Sequence, residues 1–61
     1  SITMKRILKN AIARAHSAWM LKYQDALDVE AQHGYAYAVE LYREADAIRA
    51  KLDRLCRIAG Y

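Results

Sequence analysis

The sequence contains no proline and no phenylalanine, only two glycines and a single cysteine. Without proline, no residue in the chain compels a helix to break. The lone Cys56 excludes an internal disulfide and is typical of a reducing compartment. The longest run of strong hydrophobes covers residues 18–21, whereas a membrane span needs about 20 apolar residues. We therefore predict a cytoplasmic protein with neither a signal peptide nor a membrane span.

Residues that carry chemistry are also scarce. His16 and His33 lie in no metal-ligand spacing. Cys56 has no neighbouring base to activate it, so we interpret it as a small hydrophobe. Six of the seven acids gather around the middle of the chain, with nothing apolar to desolvate them. These acids are Asp25, Asp28, Glu30, Glu40, Glu44 and Asp46. We predict no enzyme, no catalytic residue, no cofactor or metal, and no small-molecule substrate.

Alanine, leucine, arginine and glutamate dominate instead, and this composition favours helix. The second half carries a heptad pattern, typical of helices packed side by side. Its members are Ala38, Leu41, Ala45, Ile48, Leu52, Leu55 and Ala59. The first half carries a matching stripe, interrupted by one lysine. That stripe is Leu8, Ile12, Ala15, Trp19, Lys22, Ala26 and Val29. We call these two stripes the seams, and they predict helices over about 4–32 and 35–59, with Thr3 as the first N-cap.

The two seams match when the chain folds back at residues 33–34. The predicted layers pair Leu8 with Ala59, Ile12 with Leu55, Ala15 with Leu52, Trp19 with Ile48, Lys22 with Ala45, Ala26 with Leu41, and Val29 with Ala38. Most layers set a small residue against a large one, which lets the helices interlock. We therefore predict an all-α fold, an antiparallel two-helix hairpin, with Gly34 as a left-handed C′ residue. The alternative is one continuous helix, which would expose both seams and need an extended coiled-coil partner.

More apolar residues remain than one hairpin can cover. Such a wide stripe indicates that the hairpin is covered from a second direction. The simplest cover is a second hairpin, which predicts a homodimer forming an antiparallel four-helix bundle with two-fold symmetry. The alternative cover is a different, larger partner protein. The predicted dimer interface consists of Met4, Ile7, Ala11, Ala18, Leu21, Tyr35, Tyr42 and Cys56.

In its length, its central turn and its layers of alanine against large residues, the chain resembles the Rop family of plasmid copy-number regulators. That resemblance implies a helical hairpin that dimerises into a four-helix bundle and binds paired RNA loops. It aligns no functional motif, so it assigns no site residue. The segment from Gly34 and Tyr35 to Leu41 and Tyr42 also resembles the start of a tetratricopeptide repeat. Its spacing is one residue shorter and no second copy follows, which favours a plain hairpin turn.

The charges divide the hairpin into a basic end and an acidic end. The predicted contacts for an anionic partner are Lys5, Arg6, Lys9, Arg14, Arg49, Lys51, Arg54 and Arg57. Lys5, Arg6 and Lys9 oppose the dipole at a helix start, which costs a few tenths of a kcal/mol or more and suggests a use. The alternative interpretation is that these basic residues only keep the surface soluble.

A small adaptor or regulatory protein that acts by protein–protein interaction is the function these observations favour. The alternative is a nucleic-acid-binding regulator that uses the basic end. No groove-reading motif is present, which places the first interpretation ahead. The aromatic residues could stack on bases, but packing within the hairpin or dimer is the simpler use. A first helix lying on an anionic membrane is disfavoured by Asp25, Asp28 and Glu30.

Overall fold

The chain forms two α-helices that pack against each other along their length. A computed structural model describes residues 2–61, with α1 over Ile2–His33 and α2 over Tyr35–Ala59. The Cα atoms span 47 × 14 × 13 Å, and the long dimension matches the roughly 48 Å expected for a helix of the length of α1. The predicted all-α two-helix hairpin is confirmed, and the continuous helix is wrong. Neither described helix carries an apolar stretch sufficient to cross a bilayer.

The start of α1 differs from the prediction. Thr3 was expected to be the N-cap, but the helix already begins at Ile2 and includes Thr3. An N-cap residue must leave the helical backbone conformation. No glycine or proline near Met4 forces the chain to do so, and the helical hydrogen bonding extends past the predicted start.

The two seams form the contact between the helices. Every predicted seam position is buried or half-buried, including the lysine that interrupts the first stripe. The most buried residues are Ala15, Ala26, Ala38, Ala45 and Leu52. Four of these five are alanines, which let the helix backbones approach closely but remove little apolar area from water. Leu52, 5% exposed, is the only large side chain among them, so the hairpin has a small core.

Contacts between the helices support the predicted register. The Lys22 Nζ lies 2.9 Å from Glu44 Oε2, next to the predicted layer of Lys22 and Ala45. The guanidinium carbon of Arg49 lies 5.0 Å from the centre of the Trp19 ring, next to the predicted layer of Trp19 and Ile48. Two contacts at different heights therefore agree with one antiparallel alignment of the helices.

Gly34 alone connects the helices, and its backbone has φ 95° and ψ 165°. The positive φ was predicted, but the ψ lies outside the left-handed helical region and in a region that is essentially restricted to glycine. The Gly34 N–H donates to the Glu30 carbonyl at 2.9 Å, and the Gly34 carbonyl accepts from the Tyr37 N–H at 3.2 Å. One residue thus ends α1 and starts α2. The prediction that Gly34 is a left-handed C′ residue is therefore correct in the sign of φ and wrong in ψ.

α2 ends at Ala59, where the sequence predicted its end, and Gly60 follows it. Gly60 adopts the left-handed helical conformation, with φ 83° and ψ 22°. Its N–H donates to the Arg57 carbonyl at 3.2 Å, and the Tyr61 N–H donates to the Cys56 carbonyl at 2.9 Å. This pair of bonds is a Schellman motif, which satisfies carbonyls that the helix end would leave unpaired.

The conformation of Gly34 predicts opposite effects of the two alanine enantiomers at this position. A Cβ added there would meet no atom within 4 Å, so only the positive φ opposes substitution. Gly34→Ala should lower the free energy of unfolding by about 1 kcal/mol. D-alanine, which prefers positive φ, should raise it by about 0.4–1 kcal/mol by restricting the unfolded chain. Chemically synthesised chains compared by thermal unfolding test this, and equal destabilisation by both enantiomers would contradict it.

Candidate interaction surfaces

One edge of the hairpin carries a continuous row of rings, which we call the aromatic ladder. Its members are His16, Trp19, Tyr23, Tyr42 and Tyr35. Trp19 and Tyr23 stack at 5.6 Å on α1, and Tyr35 and Tyr42 stack at 5.8 Å on α2. Tyr23 meets Tyr42 edge-on at 5.8 Å and joins the two helices. These distances lie in the range where ring pairs attract each other, so the ladder ties the helices together beside the seams.

Arg49 extends the ladder toward the other end of the hairpin. Its guanidinium lies over the Trp19 ring, an arrangement that attracts a cation to the ring face. Its Nε also donates to the Asp53 carboxylate at 3.2 Å. Asp53, the acid nearest the basic end, is therefore paired with Arg49, which also packs over Trp19. Arg49 was predicted to contact an anionic partner, which stays a prediction; in the structure its guanidinium also packs against Trp19 and Asp53.

Near the turn, the ladder is linked to a carboxylate. The Tyr42 hydroxyl donates a hydrogen bond to Glu30, which joins α2 to the last turns of α1. This bond stabilises the neutral phenol and raises the pKa of Tyr42 to about 12, with desolvation adding in the same direction. Tyr42 is half-buried, whereas Tyr35 and Tyr37 are 60% and 75% exposed. Tyr37 stays off the ladder and packs near His33. It is the most exposed of the aromatic residues in residues 19–42.

The other edge of the hairpin is an open apolar channel, which we call the groove. It is lined by Ile7, Ala11, Arg14, Ala15, Ala18, Ile48, Lys51 and Leu55. Tyr23 and the seam residue Trp19 lie toward one side of α1, and Ile7 and Ala18 lie toward the other, because successive residues advance by about 100° around the helix. Ladder and groove therefore lie on opposite edges of the hairpin. No ring covers the groove in residues 2–61, and Ile7 is 56% exposed.

The predicted dimer-interface residues do not form one surface. Ile7, Ala11 and Ala18 line the groove. Leu21, 69% exposed, lies two helical turns beyond Arg14 and continues the groove wall. Met4 lies at the end of the hairpin where α1 begins and α2 ends, beside Ile58 and Tyr61; we call this the open end.

The α2 members of that predicted set lie on the other edge. Tyr35 and Tyr42 belong to the ladder, and Cys56 is half-buried two helical turns beyond Arg49 on the same edge. On α2, a seven-residue interval separates Tyr35, Tyr42, Arg49 and Cys56. This spacing was the sequence signal for the α2 side of the ladder. Which neighbours these residues touch across the hairpin could be known only after the helices were paired.

The predicted basic contacts are likewise divided. Lys5, Arg6 and Lys9 lie together at the open end, and Arg54 and Arg57 are exposed on the last turns of α2. Arg14 and Lys51 line the groove. The three ion pairs found in residues 2–61 involve Lys22, Arg43 and Arg49. The cations of the open end and of the groove thus form no ion pair within the part of the chain that the structure describes.

The acidic end is partly neutralised by its own cations. The hydrogen bond from Lys22 to Glu44 raises the pKa of the lysine, and the charge of that carboxylate adds to the effect. Arg43 Nη1 lies 2.7 Å from Glu40 Oε1, but both side chains are about 71% exposed, so this pair contributes little stability. Asp25 and Asp28 form no ion pair within residues 2–61. The described residues contain no cluster of three potential metal ligands.

Comparison with known proteins finds no match. No protein-family model matches the sequence, and no curated protein or solved structure is significantly similar to it. The resemblances to the Rop family and to tetratricopeptide repeats stay predictions, because no match tests them.

The hydrogen bond of Tyr42 predicts a stability contribution that is lost at high pH. The folded pKa of about 12 exceeds the ordinary value of 10.0. The bond therefore stabilises the fold fully below pH 10, and its contribution disappears as the pH rises through about 12. Tyr42→Phe should lower the melting temperature below pH 10, and the gap from the unmodified chain should close between these values.

Circular dichroism melts across this pH range check the Tyr42 prediction. Tyr37→Phe is the matched control, because Tyr37 lies outside the ladder and its removal should produce no closing gap. Glu30→Gln removes the charged acceptor and should return the Tyr42 titration toward its ordinary value. A gap that persists above pH 12, or one that Tyr37→Phe reproduces, would refute the assigned bond.

Proposed function

We propose that this chain is a small non-enzymatic adaptor or regulatory protein that acts by protein–protein interaction, as a homodimeric four-helix bundle. The observation that carries the proposal is the combination of a core of five mostly small residues with large apolar side chains left exposed. A chain of this size buries little apolar surface by itself and is usually marginal. With one cysteine, it has no internal disulfide as an alternative source of stability.

The exposed apolar residues support a role in binding. Ile7 and Leu21 lie along the groove, and Met4 and Ile58 are exposed at the open end. Apolar patches of this kind on a small protein mark contacts with other proteins. The hairpin has two such edges, so one can join a second copy while the other contacts a different protein. An adaptor needs two surfaces of this kind.

The aromatic ladder is the edge we assign to the different protein. Tyrosine and tryptophan are enriched at protein interfaces, because each offers a large rigid surface with a polar group. Tyr35 is well exposed at the turn end of the ladder, and its stacking on Tyr42 holds its ring in place. A ring fixed in this way loses little entropy when a partner covers it.

Photo-crosslinking from neighbouring tyrosine positions tests the adaptor function. Two variants are expressed in cells of the source organism. A photoreactive phenylalanine analogue replaces Tyr35 in the first variant and Tyr37 in the second. We expect the analogue at position 35 to capture one larger protein reproducibly. The analogue at position 37 should capture none, because Tyr37 is more exposed but points away from the ladder.

Each crosslinking result has a defined meaning. A protein captured only from position 35, and lost when Tyr42→Ala disrupts the stack, supports docking at the ladder. Equal capture from both positions would indicate contact without a defined surface and would refute it. The absence of any larger partner at either position would refute the adaptor function itself.

A second candidate function is nucleic-acid binding by the basic open end. It is favoured by one specific observation: Lys5, Arg6 and Lys9 lie together and form no ion pair within residues 2–61. They also lie in the first turns of α1, where the helix dipole repels cations. The first turn of α1 contains no acidic residue to offset this repulsion. An anion placed there would remove that repulsion, and a phosphate backbone is such an anion.

Fluorescence anisotropy with duplex DNA and structured RNA tests this second function. If the open end binds, affinity should fall steeply between about 50 and 200 mM salt, because cations that neutralise phosphates release counterions. Changing Lys5, Arg6 and Lys9 together to glutamate should abolish binding and leave the helical fold intact. Arg43→Glu, an exposed reversal at the turn end, should change affinity little. No binding below about 100 μM at the lower salt would eliminate this function.

A further inference from the structure

The groove has a charge pattern as well as an apolar floor. On α1, Arg14 lies toward the open end, and Asp25 and Asp28 lie toward the turn. All three follow the groove side of the helix, because Asp28 is four helical turns from Arg14, and Asp25 is two turns from Ala18 in the groove floor. The α1 wall of the groove is therefore basic in one half and acidic in the other.

The α2 wall repeats this division. Lys51 lines the groove toward the open end, and Glu44 lies two helical turns closer to the turn on the same side. Glu44 already contacts Lys22 at 2.9 Å across the hairpin, but its side chain is 54% exposed. It therefore retains the room to accept another cation. Both walls change sign near the level of Ala18.

We propose that a second copy of this chain occupies the groove, with its turn at the opposite end. The inference rests on the homodimer of the proposed function and specifies its face and orientation. The two-fold axis passes near Ala18. It places Arg14 and Lys51 of each copy opposite the acidic half of the other copy, where Asp25 and Glu44 lie.

Charge selects this orientation over the alternative. If both turns lay at the same end, the basic half of one groove would face the basic half of the other. Like charges that face each other in a desolvated interface oppose association strongly, whereas complementary charges fix the register. A two-fold dimer uses the same patch on both copies and therefore needs a self-complementary surface. The groove has that property only when the copies run in opposite directions.

The apolar groove lining supplies the attraction that the charges orient. Ile7, Ile48 and Leu55 flank the small side chains of Ala11 and Ala18. Alternating large and small residues let two such surfaces interdigitate. The aromatic ladder, on the opposite edge, stays exposed in this dimer and free to bind the different protein. The two basic open ends lie at opposite ends of the rod, whose length is 47 Å for one hairpin.

Disulfide trapping tests the orientation directly. In a Cys56→Ala background, one new cysteine is placed at the groove centre by Ala18→Cys, at the open end by Met4→Cys, or on the outer face of α1 by Ala13→Cys. Under mild oxidation, the chain with Ala18→Cys should form a covalent dimer. The Met4→Cys chain should not, because these two thiols would lie at opposite ends of the dimer. Ala13→Cys is the matched control, since Ala13 and Ala18 are both exposed alanines about one and a half helical turns apart on α1.

Sedimentation equilibrium of the same chains separates the ways in which the inference can fail. A mass of about twice 7.0 kDa, with trapping at Ala18→Cys alone, supports it. Trapping at Met4→Cys as well would show that the turns lie at the same end and would overturn the orientation. A dimeric mass with no trapping at Ala18→Cys would overturn the face and leave the homodimer standing. A monomer at about 100 μM would overturn the homodimer too, while capture of a larger protein from position 35 would remain independent of all these results.

Charge exchange tests the pairing itself. Arg14→Glu with Lys51→Glu makes both halves of the groove acidic, and Asp25→Lys with Glu44→Lys makes both basic. Each double variant should dimerise at least about tenfold more weakly, and an equimolar mixture should recover the original affinity as a heterodimer. Arg6→Glu with Arg57→Glu changes the net charge equally outside the groove and should leave dimerisation intact. Recovery also shows that the variants fold, and a mixture that fails to recover would overturn the pairing.

Discussion

Close packing of alanines between the two helices is the constraint on which the rest of the structure depends. Ala26 and Ala38 are completely buried near the turn, and Ala45 and Ala15 continue the contact toward the open end. Small side chains let the helix axes approach, and this approach brings Tyr23 of α1 into ring contact with Tyr42 of α2 at one edge. The same choice limits the apolar area that the hairpin can bury, because Leu52 is the only large side chain among the buried ones in residues 2–61. The helices are therefore closely aligned, but they leave much of their apolar surface exposed to solvent.

The two edges of the hairpin differ in how they use their exposed apolar residues. The ladder covers itself: its rings stack on one another, Arg49 lies over Trp19, and Glu30 accepts the hydroxyl of Tyr42. The groove has no such internal cover, and its charges change sign along its length. A surface that covers itself can present a rigid face to a different protein, whereas an uncovered self-complementary surface fits a second copy. We therefore assign the two binding roles of the proposed adaptor to different edges.

Much of this fold could be predicted from residue spacing. The seams indicated the layers, and their alignment located the corner beside Gly34 without any tertiary information, because a buried stripe must repeat with the period of the helix. The start of α1 was misplaced at Thr3, since helix ends depend on weak local preferences. The grouping of the surface residues could not be predicted in the same way. The sequence grouped Arg49 with the basic end, whereas Arg49 lies over Trp19 of the ladder. It also grouped Tyr42 with Ile7, although Tyr42 lies on the ladder edge and Ile7 lines the groove. Spacing on one helix does not show which residues of the other helix lie beside it.

The sequence by itself determined the elements: two helices without proline, seams of matching length, and one glycine where the chain reverses. These follow from local propensity and periodicity, which act along the chain. Only the tertiary structure decided how the flanks divide into ladder and groove. That division depends on the rotation of each helix about its axis, which is set by packing at the alanine seam. The unusual ψ of Gly34 has the same origin, because a single linking residue must adopt whatever conformation joins two helices already fixed by their contact.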